Sequence, residues 1–302
     1  MISKPPGAGT DRLHHDVTRK ISLFLNNKDF CNLSSVNKAW RQESIGETKI
    51  RQLLEYVMNG EETKAEALIE ENPAILRQKC TGTDPAGRTF ENITAFQYAL
   101  RALDWYMWEM MQKEFVDKSK ARNQYEGLVE HGTTDHGNKF DLKPLIDALI
   151  TYKNEFELWS RHDCKRHWGD VVGEAQRQLP MHVVQEYCRT DRSFDPCPNF
   201  EGGARGRDFK VCILDGRSWR IRTFEPKHWF PTEGRHELGW GPGRVESGAQ
   251  QNPAPRGADF ESKEKADLHC AVIKKLSTVR EQQFIALGVK LSQAVVPNTI
   301  SP

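Results

Sequence analysis

Apolar positions recur at helical spacing over most of the chain. Val17, Ile21, Phe24 and Leu25 fall at i, i+4, i+7 and i+8, one face of a helix. Asn26-Asn27 interrupts that face, because both residues favour turns over helix interiors. Phe30 and Leu33 give a short second helical turn, and Ser34 or Ser35 is placed to cap a third helix carrying Val36 and Trp40. Ile50, Leu53, Leu54, Val57 and Met58 line a further helix that Gly60 stops. Ala65, Leu68 and Ile69 line its antiparallel neighbour, which ends at Asn72-Pro73. A tight turn at Asp84 and Gly87 leads to a helix start at Thr94, then to a helix bearing Trp105, Met107, Trp108, Met110 and Met111.

The second half keeps the helical period at first. Residues 118–139 are polar and predict a linker or exposed loop. Leu142, Leu145, Ile146, Leu149, Tyr152, Phe156 and Trp159 predict a long amphipathic helix, with Pro144 tolerated in its first turn. Trp168, Val171 and Val172 mark another helix, and one more begins near Pro180 with Val183, Val184 and Tyr187. Residues 188–203 lose any period and predict an ordered irregular loop. Two runs, Phe209–Leu214 and Trp219–Phe224, flank Asp215-Gly216 and predict a β-hairpin, because Asp-Gly supplies the positive φ angles of a tight turn. Residues 233–258 are rich in Gly, Pro and Gln and predict a mobile surface loop. Residues 263–287 predict a final helix, with Leu268, Val272, Leu276, Val279 and Ile285 only loosely on one face. The predicted fold class is mainly α, with one small β-hairpin in the C-terminal part.

Composition narrows the function classes. The 302 residues suffice for two or three domains, and 37% hydrophobic with 28% charged content describes a globular chain. Lys+Arg total 43 against 42 Asp+Glu, so the chain lacks the basic excess of a general nucleic-acid binder. No apolar run is long enough to span a bilayer. Met1 to Thr10 is polar and Pro/Gly-rich, unlike a secretory signal. Seven scattered cysteines read as reduced thiols of a cytosolic protein.

The N-terminal helices present Leu13, Val17, Ile21, Leu25, Phe30, Leu33, Val36 and Trp40 in a segment too small to bury them against itself. That surface must meet the next domain or another protein. The pattern Leu13, Asp16, Val17, Ile21, Phe24, Leu25, then Lys28-Asp29-Phe30, then Leu33, Val36, Lys38, Trp40 and Arg41 resembles the F-box family along its whole length. His14 stands where that family usually has the proline that pre-sets the entry to the first helix. The resemblance implies that Leu13, His14, Val17, Ile21, Phe24, Leu25, Phe30, Leu33, Val36 and Trp40 face a Skp-type adaptor of a cullin-RING ligase. It implies no bond chemistry in this chain, only a raised local concentration of a protein target near the conjugating enzyme.

Two further resemblances bear on the rest. Thr94-Ala95-Phe96-Gln97-Tyr98-Ala99 resembles the helix start of an ankyrin repeat, with Ala95 in place of proline and an insertion around Phe90 to Ile93. The stretch from Trp168 to Pro198 resembles C-terminal regions of proteins that intracellular bacterial pathogens inject into host cells. Such an effector would pass from a bacterium into the host cytosol.

Sets that imitate catalytic or metal sites are nonspecific. His162, Cys164 and His167, with Cys188 and Cys197, lack the paired Cys-x-x-Cys spacing of a zinc site, and a role as exposed or capping residues is the simpler reading. His182 and Cys188 lie six apart, off one helical face, so with Asp191 they make a poor thiol-nucleophile set. No cofactor, metal or catalytic set is therefore expected. The sequence predicts an F-box with its N-terminal flank at 1–48, an ankyrin-like helical region at 49–117, and an α+β region of unassigned role at 118–302. Trp105, Tyr106 and Trp108 are candidate target-binding residues, since Trp, Tyr and Met are enriched in interfaces; a core role competes for them. The preferred function is a substrate adaptor of an SCF-type ubiquitin ligase. The alternatives are an enzyme with its active site in 140–302, or a binding protein whose first helices only cap the next unit.

Overall fold

The computed structural model describes residues 38–187, 196–202, 210–215, 218–223 and 263–294, of which 38–45 and the strands after 209 are described by their backbone. The chain is mainly helical. The first helix, α1 (Lys38–Met58), buries Leu53, Leu54, Val57 and Met58, the face expected from their spacing. It stops at Gly60, whose φ of +67° is a left-handed conformation that costs glycine least. Helix α2 (Glu62–Glu71) returns alongside it, burying Ala65 and Ile69 at i, i+4. An ion pair between Lys49 and Glu71 joins the two helices. Asn72 then accepts from the Ala74 N–H and opens a short 3₁₀ turn, Pro73–Arg77.

What reads in the sequence as an insertion is the second strand of a hairpin. Strands β1 (Lys79–Thr83) and β2 (Thr89–Thr94) pair antiparallel, Cys80 opposite Ile93 and Gly82 opposite Phe90. Two steps on β1 thus face three on β2, which is a β-bulge. Asn92, at φ +51°, takes up the extra residue, as Asn tolerates the left-handed region better than other side chains. The bulge lets Phe90 and Ile93 both turn inward although three apart. That spacing hides the strand, because an undistorted strand alternates.

Thr94 closes the hairpin and caps α3 (Ala95–Arg101) in a reciprocal box with Gln97: the Gln97 N–H donates to Thr94 Oγ1 at 3.1 Å, and the Thr94 N–H to Gln97 Oε1 at 3.3 Å. Thr94→Ala is expected to cost about 1–2 kcal/mol, read as a lowered urea midpoint with an unchanged slope. Asp104 caps α4 (Trp105–Glu114) by accepting from the Met107 N–H at 3.2 Å. The segment expected to be a linker or loop instead contains a helix, α5 (Lys118–His131), capped by Asp117 and ended by Gly132. It buries only Ala121 and Leu128, so its apolar period is too thin to read in a polar stretch. Helices α1 to α5 and the hairpin enclose a first core that includes Phe96, Met107, Trp108 and Met111.

A second core gathers Leu145, Leu149, Tyr152, Cys164, Trp168, Val172, Val183, Val184 and Phe200. Helix α6 (Lys143–Glu155) has Pro144 in its first turn, as the sequence predicts. Helix α7 (Arg161–His167) runs through a π-helical turn, Trp168–Val172, into α8 (Gly173–Arg177) and then α9 (Met181–Tyr187). The hairpin expected around Asp215-Gly216 is present as β3 (Lys210–Asp215) and β4 (Ser218–Thr223), with Asp215 opposite Ser218. The last helix, α10 (Lys263–Gln293), is shared: Ala266, Val272, Ile273, Leu276 and Val279 belong to the second core, Leu287 and Leu291 to the first. No described helix is long and apolar enough to cross a membrane. The first two expected N-terminal helices, the irregular loop at 188–195 and the segment 233–258 lie outside the described residues.

Candidate functional site

Of the residues expected to face an adaptor, Leu13, His14, Val17, Ile21, Phe24, Leu25, Phe30, Leu33 and Val36 lie outside the described part. Trp40 lies on α1, and α1 continues without a break to Met58. Whatever holds Trp40 is therefore connected by one helix to the first core. The three candidate target-binding residues divide by exposure. Trp108 and Tyr106 are buried, and Trp105 keeps partial exposure beside the first core.

Trp105 and Tyr106 meet a charged residue from the far end of the chain. Arg280, midway along α10, is 1% exposed. Its guanidinium lies 5.1 Å from the Tyr106 ring centre and 5.7 Å from that of Trp105, within cation–π range. Its Nη1 donates to the Phe200 carbonyl at 3.0 Å and to Gln283 Oε1 at 2.7 Å. Burial pulls its pKa down, while Tyr106, Glu186 and Asp104 push it back up. All three are themselves buried. Close by, Gln185 on α9 donates to the carbonyls of Asn59 (3.4 Å) and Gly60 (3.2 Å), at the end of α1. These contacts form a seam between the two cores that nothing in the local sequence announces.

The other open feature is an apolar groove between α5 and α10. It measures about 570 Å³ and is lined by Arg122, Tyr125, Glu126, Ile285, Gly288 and Val289. Ile285 and Val289 are 64% and 54% exposed. Tyr125, in its lining, donates to the Phe284 carbonyl at 3.3 Å.

The sets that imitate chemistry are spread apart by burial. His162 is exposed, Cys164 is buried, and His167 binds the Ala148 carbonyl at 3.2 Å. Desolvation by burial lowers the pKa of His167 and raises that of Cys164. His182 is buried, while Cys188 and Asp191 lie outside the described residues. Among the described residues no three His, Cys, Asp or Glu side chains cluster as a metal site would need. Cys80 has its pKa raised to about 12 by burial, so it is a protonated thiol at neutral pH.

Comparison with known proteins bears on the segment in which the residues expected to face an adaptor lie. Residues 11–43 match the F-box domain model. The chain carries an F-box domain. Residues 144–291 match the CBUA0006 C-terminal domain. A curated relative, the uncharacterized protein CBUA0006 of Coxiella burnetii (strain RSA 493 / Nine Mile phase I), is 35% identical over 181 residues, 52% of this chain and 53% of that protein. The chain thus spans about half the length of that relative. No solved structure matches. The last residues of the F-box match, 38–43, are the first residues of α1. The CBUA0006-like region contains α6 to α9 and nearly all of α10, and with them Gln185, Glu186 and Arg280. Trp105 and Tyr106 lie outside both matches, so the seam ties the CBUA0006-like region to the helical body that follows the F-box.

Proposed function

We propose that this protein is a substrate adaptor of an SCF-type ubiquitin ligase, working as a bacterial effector in a host cell. The F-box match at 11–43 carries the reading. In it, Leu13, Val17, Ile21, Phe24, Leu25, Phe30, Leu33, Val36 and Trp40 engage a Skp-type adaptor, with His14 at the entry to the first helix. The chain divides by role into an F-box segment (1–48), an ankyrin-like helical region (49–117) and a region that recruits the target (118–302). The structural support is the continuity of α1, which joins the F-box end to a packed body without a flexible joint. The similarity to a protein of an intracellular bacterium, Coxiella burnetii, supports the effector setting. Of the candidate target-binding set, Trp105 offers the exposed surface, and the α5/α10 groove adds an apolar surface of the kind recruitment uses.

Capture of the full-length protein on purified Skp adaptor tests this. Wild type is expected to bind at or below micromolar concentration. Leu13→Ala and Trp40→Ala should each weaken binding by about 2 kcal/mol, roughly thirtyfold, as central anchors do. Absence of wild-type binding at micromolar concentrations would sink the adaptor reading.

A further inference from the structure

We infer that Arg280 and Gln185 form a latch that locks the CBUA0006-like region onto the F-box-bearing helical body, making the two cores one rigid unit. Burying a charge is costly. A guanidinium that is 1% exposed has lost its water, and that loss must be offset by hydrogen bonds and opposite charge. Arg280 draws this compensation from both sides. The second core supplies the Phe200 carbonyl and the first the rings of Trp105 and Tyr106, and the charges of Glu186 on one side and Asp104 on the other favour the cation. Neither core alone satisfies the cation. A shift between the cores therefore strips it of half its partners, so one relative placement is selected.

Gln185 makes the second point of attachment, at the turn that ends α1. Its amide donates to the carbonyls of Asn59 and Gly60, groups that no residue of α1 can satisfy. The approach is close enough that a Cβ at Gly60 would stand 2.6 Å from Gln185 Nε2. Gly60 thus serves twice, turning the chain at φ +67° and leaving room for the Gln185 amide. Helix α10, packed into both cores, is the rigid element through which the two contacts act together.

The bearing of the latch on target presentation rests on the adaptor reading; the latch itself does not. In an adaptor, a target held by the CBUA0006-like region would be presented at a fixed distance from the F-box.

Calorimetry and hydrogen exchange on the full-length protein decide the matter. Wild type is expected to melt in one transition, with the slowest amides of 53–58 and 107–111 exchanging at the same rate as those of 145–152 and 272–279. Arg280→Met with Gln185→Ala should split the melt in two and separate the two sets of slow amides by at least tenfold. Helical content at room temperature and capture by the Skp adaptor should not change. Gln185→Ala alone removes no charge and should give the same separation in smaller degree, which covers the case that the double variant does not fold. A single transition lowered as a whole, with both sets of amides speeded equally, would show mere structural support and overturn the latch. Two transitions in the wild type would also overturn it. Loss of adaptor capture by the wild type would remove the adaptor reading and leave the latch standing.

Discussion

Asp84→Ala is expected to destabilise the protein by about 3–5 kcal/mol, the usual cost of leaving a buried charge without its partner. The Asp84 side chain is 1% exposed and sits where the first hairpin turns. Its Oδ1 accepts from the Arg88 N–H at 2.9 Å, and its Oδ2 from Arg88 Nε at 2.8 Å and from the Tyr98 hydroxyl at 3.4 Å. A second guanidinium, that of Arg101, lies in the same pocket, 5.2 Å from the Phe90 ring and 5.5 Å from that of Phe140. Arg101 already has its pKa lowered to about 10, first by burial and then by the charge of Arg88, with Tyr98 and Asp84 opposing. Removing Asp84 leaves two cations facing each other in an apolar setting. Urea unfolding of Asp84→Ala against wild type checks this. Asp84→Asn keeps a turn acceptor and should lose less. A loss below 1 kcal/mol would mean that water reaches the pair and screens it. Because the site is largely enclosed, added salt should not restore the loss.

The same pocket shows what was legible in the sequence. Asp84 and Gly87 read correctly as a turn, but the strand after it did not, because the bulge at Asn92 sets the two inward residues three apart. The helices around Leu53, Ala65 and Leu145 were legible, since each buries one face at regular spacing, and α9 from its Val183-Val184 pair, although Met181 to Glu186 are all buried. So was the later hairpin, from its Asp-Gly turn. Helix α5 was not, because two buried residues in fourteen leave almost no period. Helix α10 read as only loosely one-sided for a different reason. It presents Val272, Ile273, Leu276 and Val279 to one core, then Leu287 and Leu291 to another, so no single stripe runs its length.

The seam left only a faint trace in the sequence. Arg280 looks like one more charge on a helix that carries many, and its partners Trp105, Tyr106 and Phe200 are remote along the chain. A charged residue near the centre of a helix that is apolar on both sides was the available signal. The F-box was legible for the opposite reason. Its identity rests on a local pattern of residue types within a few turns, and the family match falls on that pattern. The candidate target-binding residues illustrate the ambiguity between the two cases, because aromatic density marks interfaces and cores alike.

Trp108→Ala resolves that ambiguity and is expected to lower stability by about 3–5 kcal/mol, the range for removing a large buried aromatic. Trp108 is fully buried in the first core, edge-on to Phe284 of α10 with ring centres 6.1 Å apart. Truncation would open a cavity that α4 and α10, each fixed by other contacts, cannot collapse to fill. Trp108→Phe should cost far less. It keeps most of the apolar volume and removes an indole N–H that has no hydrogen-bond partner among the described residues, which is itself a small burden on the fold. Trp105→Ala should cost less than Trp108→Ala, since that ring is partly exposed, but more than a surface change, since it covers the buried Arg280 guanidinium. Thermal unfolding of the three variants separates a core role from an exposed one. A Trp108→Ala protein that melts like the wild type would mean that the ring lies outside the core. If the core assignment is right, the variant should lose stability at α4 and at the C-terminal turns of α10 together, because Trp108 and Leu287 share one packed cluster.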